Sequence, residues 1–367
     1  MVLNFIKKQP VLVISFAAAL VTMFFVPPDA GYAEYINRTV LIQLFSLMTA
    51  VAGLRSLGIF EKVTDLLLEK AGTIRRLGQV FVLICFFSSM LVTNDVALLT
   101  FIPLTLIALK KADSKSLIMT IVLETAAANL GSMLTPVGNP QNLFIYDIYK
   151  LTAWVFIKTM APAGIASLVI LMLLTMLLPK DSCSVCEKHD VKIAPAPLAG
   201  YIALFAVCLL TVFRVIPDLV CLGAALVCAL VFDRRLLAKV DYPLLLTFVC
   251  FFVFVGNIAR IDAIGSYLSE IMNGKELLVS AGLSQVISNV PAAVMLSGFT
   301  GSGTQLLLGV NLGGLGTIIA SLASLISFQF YRNTEGANSV RYLAVFSAVN
   351  FGMLFILLFL QKIISIL

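Results

Sequence analysis

Two carboxylic acids, Asp95 and Glu124, stand inside long apolar stretches of the chain. A charge at the centre of a bilayer is costly, so acids placed there are functional candidates by default. Neither has a counterpart further along, where a similar pattern recurs; Val290 stands where Asp95 would. An acid on one side only of a repeated scaffold points to proton coupling, with Asp95 and Glu124 as the candidates, or to one cation site stronger than its twin. Small hydroxyl and amide residues crowd around helix breakers. Thr93, Asn94, Thr135, Asn139, Gln141 and Asn142 lie near Gly131, Pro136, Gly138 and Pro140. Ser288, Asn289, Thr317, Ser321 and Ser324 lie near Pro291, Gly313, Gly314 and Gly316. These hard neutral oxygens suit sodium. A broken helix also frees carbonyls that can ligate a cation, and creates half-helix N-termini whose amides and dipole favour an anion. No Lys or Arg falls in either break. An anion there would be held by amides, hydroxyls and a bound cation, which favours co-transport. Ser, Thr and Gly singly do no more than allow close helix packing. The two Asn-centred turns, present in both halves, are read as functional.

The composition says what must position these residues. The chain has 367 residues, 60% of them hydrophobic and 12% charged, with a mean hydropathy of +1.04. A soluble domain carries roughly 25% charged residues. This excludes a disordered chain, a coiled coil, a nucleic-acid-binding module and an ordinary soluble enzyme, and leaves an all-α polytopic membrane protein with lipid as its surroundings. The net charge of +6 is a topology signal in the loops. Of the seven cysteines, five lie in apolar runs and behave as small hydrophobes. Cys183, Cys186 and His189 form C-x-x-C-x-x-H, but zinc normally needs a fourth ligand and only acids such as Asp190 are near, so no metal site other than sodium is assigned. His189 is the single histidine, so no Ser-His-Asp triad or HExxH helix can be built. No cofactor and no enzymatic activity are expected.

A membrane helix needs about 20 apolar residues. Continuous spans are read near 11–27, 38–57, 153–178, 198–213, 217–232, 241–259 and 341–362. The first, after Lys7 and Lys8, has the look of a signal peptide, but a retained helix is preferred because its counterpart recurs. Residues 77–109 and 275–299 are read as re-entrant hairpins, 116–146 and 304–331 as broken helices. Asn129 to Thr135 aligns with Asn311 to Thr317 at an offset of 182, which pairs Asn139 with Ser321 and Asn142 with Ser324. Asp29 to Ile42 aligns with Asp233 to Leu246. Ser89 and Ser284 each lie five residues before the Asn of a turn. The expected organisation is a first repeat over 1–180, a linker and connecting helix over 181–216, and a second repeat over 217–367. With about nine spans the second repeat is inverted, the signature of secondary transporters with a midplane site. Most of the 25 Lys and Arg fall in loops on the N-terminal side, among them Arg55, Lys62, Lys70, Arg75, Arg76, Lys115, Arg234, Arg235 and Lys239. The positive-inside rule then puts the N-terminus in the cytoplasm and the C-terminus outside. The first hairpin opens inward and the second outward.

The segments TNDVALLTFIPLTL, NLGSMLTPVGNPQN, LSQVISNVPAAV and GVNLGGLGTIIASLASLI resemble the ion-transporter superfamily, over nearly the whole chain. That group holds sodium–dicarboxylate and citrate symporters, arsenite transporters and a class of sodium/proton antiporters. The resemblance is greatest to small bacterial inner-membrane proteins called anion or citrate-transporter-like. It implies a homodimer with a scaffold and a transport domain that moves like an elevator. It also implies sites at two hairpin tips. The first tip is Thr93, Asn94 and Asp95, with Ser89 and Gly138 as sodium partners. The second is Ser288, Asn289 and Val290, with Ser284 and Ala320. Substrate contacts fall on Thr93, Asn94, Asp95, Asn139, Asn142, Ser288, Asn289, Thr317 and Ser321. Asp95 and Val290 depart from the threonines that contact a carboxylate in the symporters. The Asn-Asp pair is more like the arsenite transporters and antiporters.

The first expectation is a symporter of a small anion, a di- or tricarboxylate, driven by sodium or protons. The alternatives are a cation/proton antiporter using Asp95 and Glu124, and an exporter of arsenite or another oxyanion. Paired dead-end hairpins disfavour a passive channel.

Overall fold

The computed structural model describes residues 9–62, 72–110, 112–182 and 193–364, and is built from helices. The Cys183, Cys186 and His189 motif lies outside the described residues, as do Lys7, Lys8 and Lys70. The helices begin where the sequence supplies caps. In α3 (Arg38–Ser56) the Asn37 side chain accepts from the Val40 amide. In α4 (Ile74–Val92) Thr73 accepts from Arg76. In α8 (Ala153–Thr175) Thr152 accepts from Val155. In α12 (Tyr242–Ala259) Asp241 accepts from Leu244. Each side-chain oxygen satisfies one of the amides that a helix start leaves without a partner.

Six helices among the described residues are long and apolar enough to cross a membrane: α3, α4, α8, α9 (Pro195–Val212), α12 and α18 (Ser339–Ile364). The chain is a multi-pass membrane protein. Two expected spans are shorter than a usual crossing. α1 (Pro10–Phe25) has 16 residues and α10 (Asp218–Phe232) has 15. Proline explains both: Pro27 and Pro28 follow α1, and Pro217 immediately precedes α10. Short helices α2 (Tyr32–Tyr35) and α11 (Leu236–Lys239) link α1 to α3 and α10 to α12.

Each half then repeats one design. α4 and α5 (Asn94–Ala108) form a hairpin broken only at Thr93. α6 (Ser114–Ser132) and α7 (Pro140–Ile148) form a broken helix, followed by α8. In the second half, after α13 (Asp262–Met272), α14 (Glu276–Ile287) and α15 (Asn289–Ser297) form a hairpin broken only at Ser288. α16 (Gly303–Leu312) and α17 (Leu322–Arg332) form the second broken helix, followed by α18. The halves exchange partners. α5 packs on α17 and α15 packs on α7, while α1 packs on α12 and α10 packs on α3. α6 is buried on all sides, from Thr120 to Ser132 without interruption. α8, α10 and α18 instead expose Ile165, Val169, Leu173, Leu219, Leu230, Phe355 and Phe359, the faces that lipid covers.

α6 has an additional anchor outside the membrane. Asp113 accepts from the Lys115 and Ser116 amides at 3.0 and 3.2 Å and from the Ser116 hydroxyl. The Ser116 hydrogen bond, with these amides, holds the Asp113 carboxyl below the usual carboxylate range. A depressed folded-state pKa contributes stability that is present above the unfolded value and lost as pH falls through the folded one. Asp113→Ala is therefore expected to destabilise the protein by about 1 kcal/mol, and the deficit against wild type should shrink below pH 4. Thermal unfolding in detergent across pH 3–7 checks this.

Candidate functional site

The hairpin tips share a backbone conformation that L-residues rarely adopt. Thr93 has φ 73° and ψ 153°, and Ser288 has φ 77° and ψ 154°. This region is essentially reserved for glycine, and a side chain there costs of order 1–3 kcal/mol. Both tips hold it with a backbone hydrogen bond to the opposing break. The Asn94 amide donates to the Gly138 carbonyl at 3.3 Å, and the Asn289 amide donates to the Ala320 carbonyl at 2.9 Å. Gly138 and Ala320 each sit just before the N-cap of a half-helix, Asn139 for α7 and Ser321 for α17. Each tip therefore places the N-terminus of one helix against the N-terminus of another.

Asparagines then tie the two breaks together. Asn94 Nδ2 donates to Asn129 Oδ1 at 2.9 Å, which also accepts from Ser321 Oγ at 3.0 Å. Asn129 Nδ2 points to Ser324 Oγ at 3.4 Å. The residues 182 positions away do the same in reverse. Asn139 Nδ2 donates to Asn311 Oδ1 at 3.0 Å, and Asn311 Nδ2 donates to Asn142 Oδ1 at 2.6 Å. Each half's Asn thus reaches the other half's half-helix start. All of these residues are at least nine-tenths buried.

Sequence reasoning placed Thr93, Asn94, Asp95, Asn139, Asn142, Ser288, Asn289 and Ser321 at this junction, and the structure brings them to it. It treated Asn129 and Asn311 as repeat markers only; their recurrence at a fixed offset beside glycine was the available signal. It missed Gln285. Gln285 Nε2 donates to the Gly313 and Leu315 carbonyls at 2.8 and 2.9 Å, and its Oε1 accepts from the Thr317 amide at 2.8 Å. Thr317 Oγ1 is spent on the Gln285 carbonyl, as Thr135 Oγ1 is on the Met90 carbonyl. Thr317 therefore lies to one side of the asparagine network. Ser89 and Ser284 donate to carbonyls of their own helices, Phe86 and Ser280. They pack where Gly131 and Gly313 let α6 and α16 touch the hairpins: a Cβ at Gly131 would collide with Phe86 O and Ser89 Oγ, and one at Gly313 with Ala281 and Ser284.

The two acids occupy different places. Asp95 sits in the first turn of α5, and its Oδ1 is buried with no hydrogen-bond partner. Glu124 is fully buried and accepts from Thr105 Oγ1 at 2.5 Å, with Oε2 unpartnered. It is absent from the hydrogen-bond network of the tips. Gln141, behind the α7 N-cap, is 1% exposed with both amide atoms unpartnered.

Paired hairpins meeting two broken helices inside a polytopic bundle define a membrane transporter. A family model described as citrate transporter matches residues 1–304, and the chain belongs to that family, within the ion-transporter superfamily. It is 36% identical over 296 residues to an uncharacterized transporter of Methanocaldococcus jannaschii, covering 79% of this chain and 80% of that protein. It is 33% identical over 314 residues to the inner membrane protein YbiR of Escherichia coli, covering 83% of both. A silicon efflux transporter of Oryza sativa subsp. japonica is 30% identical over 179 residues, 48% of this chain and 36% of that protein. The chain is a transporter and not an enzyme.

The strain at the first tip is testable. Thr93 makes no side-chain hydrogen bond as the cap of α5. Thr93→Gly should stabilise the protein by about 1 kcal/mol, the relief of a glycine-only conformation less the entropy glycine adds to the unfolded chain. Denaturant or thermal unfolding of the two proteins measures it. Gln285→Leu should do the reverse and cost about 1–3 kcal/mol for each buried group left without a partner.

Proposed function

We propose that the protein is a cation-coupled secondary active transporter of a small anion, a di- or tricarboxylate, working by an elevator movement with sodium or protons as the coupling ion. The observation that carries this reading is the junction of two strained hairpin tips with two half-helix N-termini, joined by hydrogen-bonded asparagines. Four N-termini at one place supply amides and positive dipole ends for an anion where no Lys or Arg lies in either break. The Gly138 carbonyl has a second lone pair left for a cation, while the Ala320 carbonyl accepts from both the Asn289 amide and, at 3.3 Å, Ser288 Oγ, so a cation there would compete with that hydroxyl. Ser89, Asn94, Asp95 and Gly138 form the first cation site in this reading, and Ser284, Asn289 and Ala320 the second. Thr93, Asn139, Ser288 and Ser321, with the two tip asparagines, face the anion, while Asn142 closes the first break. Thr317 acts by fixing the second break.

The exchange of partners between residues 182 apart supports an inverted repeat, because a dyad in the membrane plane swaps equal elements. The hairpins, broken helices, α8 and α18 then form the moving body, and α1, α3, α9, α10 and α12 the scaffold through which two copies pair. The protein resides in the inner membrane with its N-terminus in the cytoplasm.

Asp95 favours a second reading. A carboxylate at the first tip repels an anion unless it is protonated or holds a cation. Val290 at the second tip offers no hydroxyl. A sodium/proton antiporter, or a carrier of a weak oxyacid such as arsenite, meets neither difficulty, and the plant silicon efflux relative lends weight to the oxyacid.

Proteoliposomes containing a pH-sensitive dye separate these readings. A sodium gradient is imposed alone and then with succinate, citrate or arsenite outside. A solute-dependent signal with matching tracer uptake is the expected result. Sodium-driven proton movement without solute would establish the antiporter instead. Asn94→Ala and Asn289→Ala should each reduce cation-dependent uptake by more than tenfold, since each removes a charge-assisted contact to a bound cation. Full uptake by both folded variants would remove the tips from the mechanism. Asp95→Asn should abolish solute-free exchange if the antiporter reading holds.

A further inference from the structure

A cavity of about 270 Å³ lies outside the hairpin-tip junction, between α8, α14, α16 and α18. None of the tip residues lines it. Its polar lining is Lys158 and Thr159 from α8, Thr304 and Gln305 from α16, and Gln361 from α18, and among the described residues no carboxylate lines it. Three independent features point to a bound anion. Lys158 is exposed and has no ion-pair partner among the described residues. The ten-residue helix α16 starts here without a cap: Ser302 makes no side-chain hydrogen bond, and Thr304 and Gln305 are in the first turn. Uncapped first-turn amides and the helix dipole favour negative charge. Finally, Gln361 is 6% exposed, and its Nε2 is a buried donor with no acceptor. A buried donor of that kind costs about 1–3 kcal/mol unless something accepts from it.

The position in the helices says which anion. Trp154, 72% exposed, lies one turn before Lys158 on α8. Tryptophan collects at the membrane–water boundary, and lysine near a helix end reaches toward that boundary. The outer faces of α8 and α18 beside the cavity carry Ile157, Phe359 and Ile363, all exposed and apolar. A ligand seated here has water at one end and lipid tails at the other.

We propose that this cavity holds the phosphate of a phospholipid headgroup, with Lys158, the α16 N-terminus and Gln361 as its donors. The lipid's acyl chains run along α8 and α18. The cavity joins elements of both halves of the chain, so the lipid clamps α8 to α16 and α18.

Native mass spectrometry of the full-length protein in detergent tests this, with dioctanoyl phosphatidylglycerol, dioctanoylglycerol and inorganic phosphate as probes. One tightly held phospholipid adduct is expected on wild type, and none of similar strength with dioctanoylglycerol. Lys158→Ala should lower adduct occupancy about tenfold, and Lys158→Arg should retain it, because the charge and donors survive. Lys158 is exposed, so its replacement leaves the packing intact. Gln361→Leu is the second variant and should weaken the adduct several-fold while preserving the volume of the side chain. Equal adducts on wild type and Lys158→Ala would overturn the proposal. So would displacement of the lipid by an equal concentration of inorganic phosphate, which would assign the cavity to a free ion.

Discussion

A helix that is broken at membrane depth must find new partners for every backbone group it releases, because lipid offers none. The rest of this structure depends on that constraint. Two helices are broken here, over 133–139 and 313–321, and each break is closed by one amide side chain. Asn142 Nδ2 takes the Ser132 and Thr135 carbonyls at 3.2 and 3.0 Å, and Gln285 Nε2 takes those of Gly313 and Leu315. One plug comes from the half-helix after the break and the other from the hairpin before it. The same physical need is met by different residues in the two halves. The groups left over after this closure include half-helix amides and the second lone pair of the Gly138 carbonyl, whereas the Ala320 carbonyl accepts from both the Asn289 amide and Ser288 Oγ.

Close approach makes the closure possible. Gly131 and Gly313 have no side chain where α6 and α16 touch the first arms of their hairpins. In lipid there is no hydrophobic force between helices, so association rests on such close packing and on interhelical hydrogen bonds. The tips then pass directly into helices α5 and α15 with a single residue between arms. That brevity forces Thr93 and Ser288 into a glycine-only conformation, and strain of this kind persists only where surrounding contacts over-determine it. Here the contacts are the Asn94 and Asn289 amide bonds to the opposing break.

The halves are equal in backbone and unequal in chemistry. Asn139 and Asn142 of the first break correspond to Ser321 and Ser324 of the second, so one half-helix start carries amides and the other hydroxyls. Asp95 and Glu124 add acids to the first half alone. Glu124 is held by Thr105 on α5, the same helix whose start carries Asn94 and Asp95. An acid bonded to the hairpin's second arm is mechanically joined to the first tip, though it does not touch it. Two similar hairpin–broken-helix units therefore differ in charge, with these two acids in the first only.

By itself the sequence determined the class and most of the elements. Apolar runs of about 20 residues are readable because the bilayer imposes a length, and the breaks at 93, 133–139, 288 and 313–321 are readable because Gly, Pro and polar residues interrupt those runs. The caps Thr73, Asp113, Asn139 and Asp241 have local signals for the same reason: a cap acts within one turn. Tertiary structure alone decided which partners meet. The bond from Asn129 to Ser321 spans 192 positions and that from Asn139 to Asn311 spans 172, and no local rule of spacing reaches so far. It also decided that Thr317 closes a break instead of facing the junction, that Gln285 is the plug, and that Glu124 stands apart from the tips. Those outcomes depend on where a side chain points after helices from opposite ends of the chain have packed, and a hydroxyl or amide reads the same in sequence whether it ends on a carbonyl or in a site.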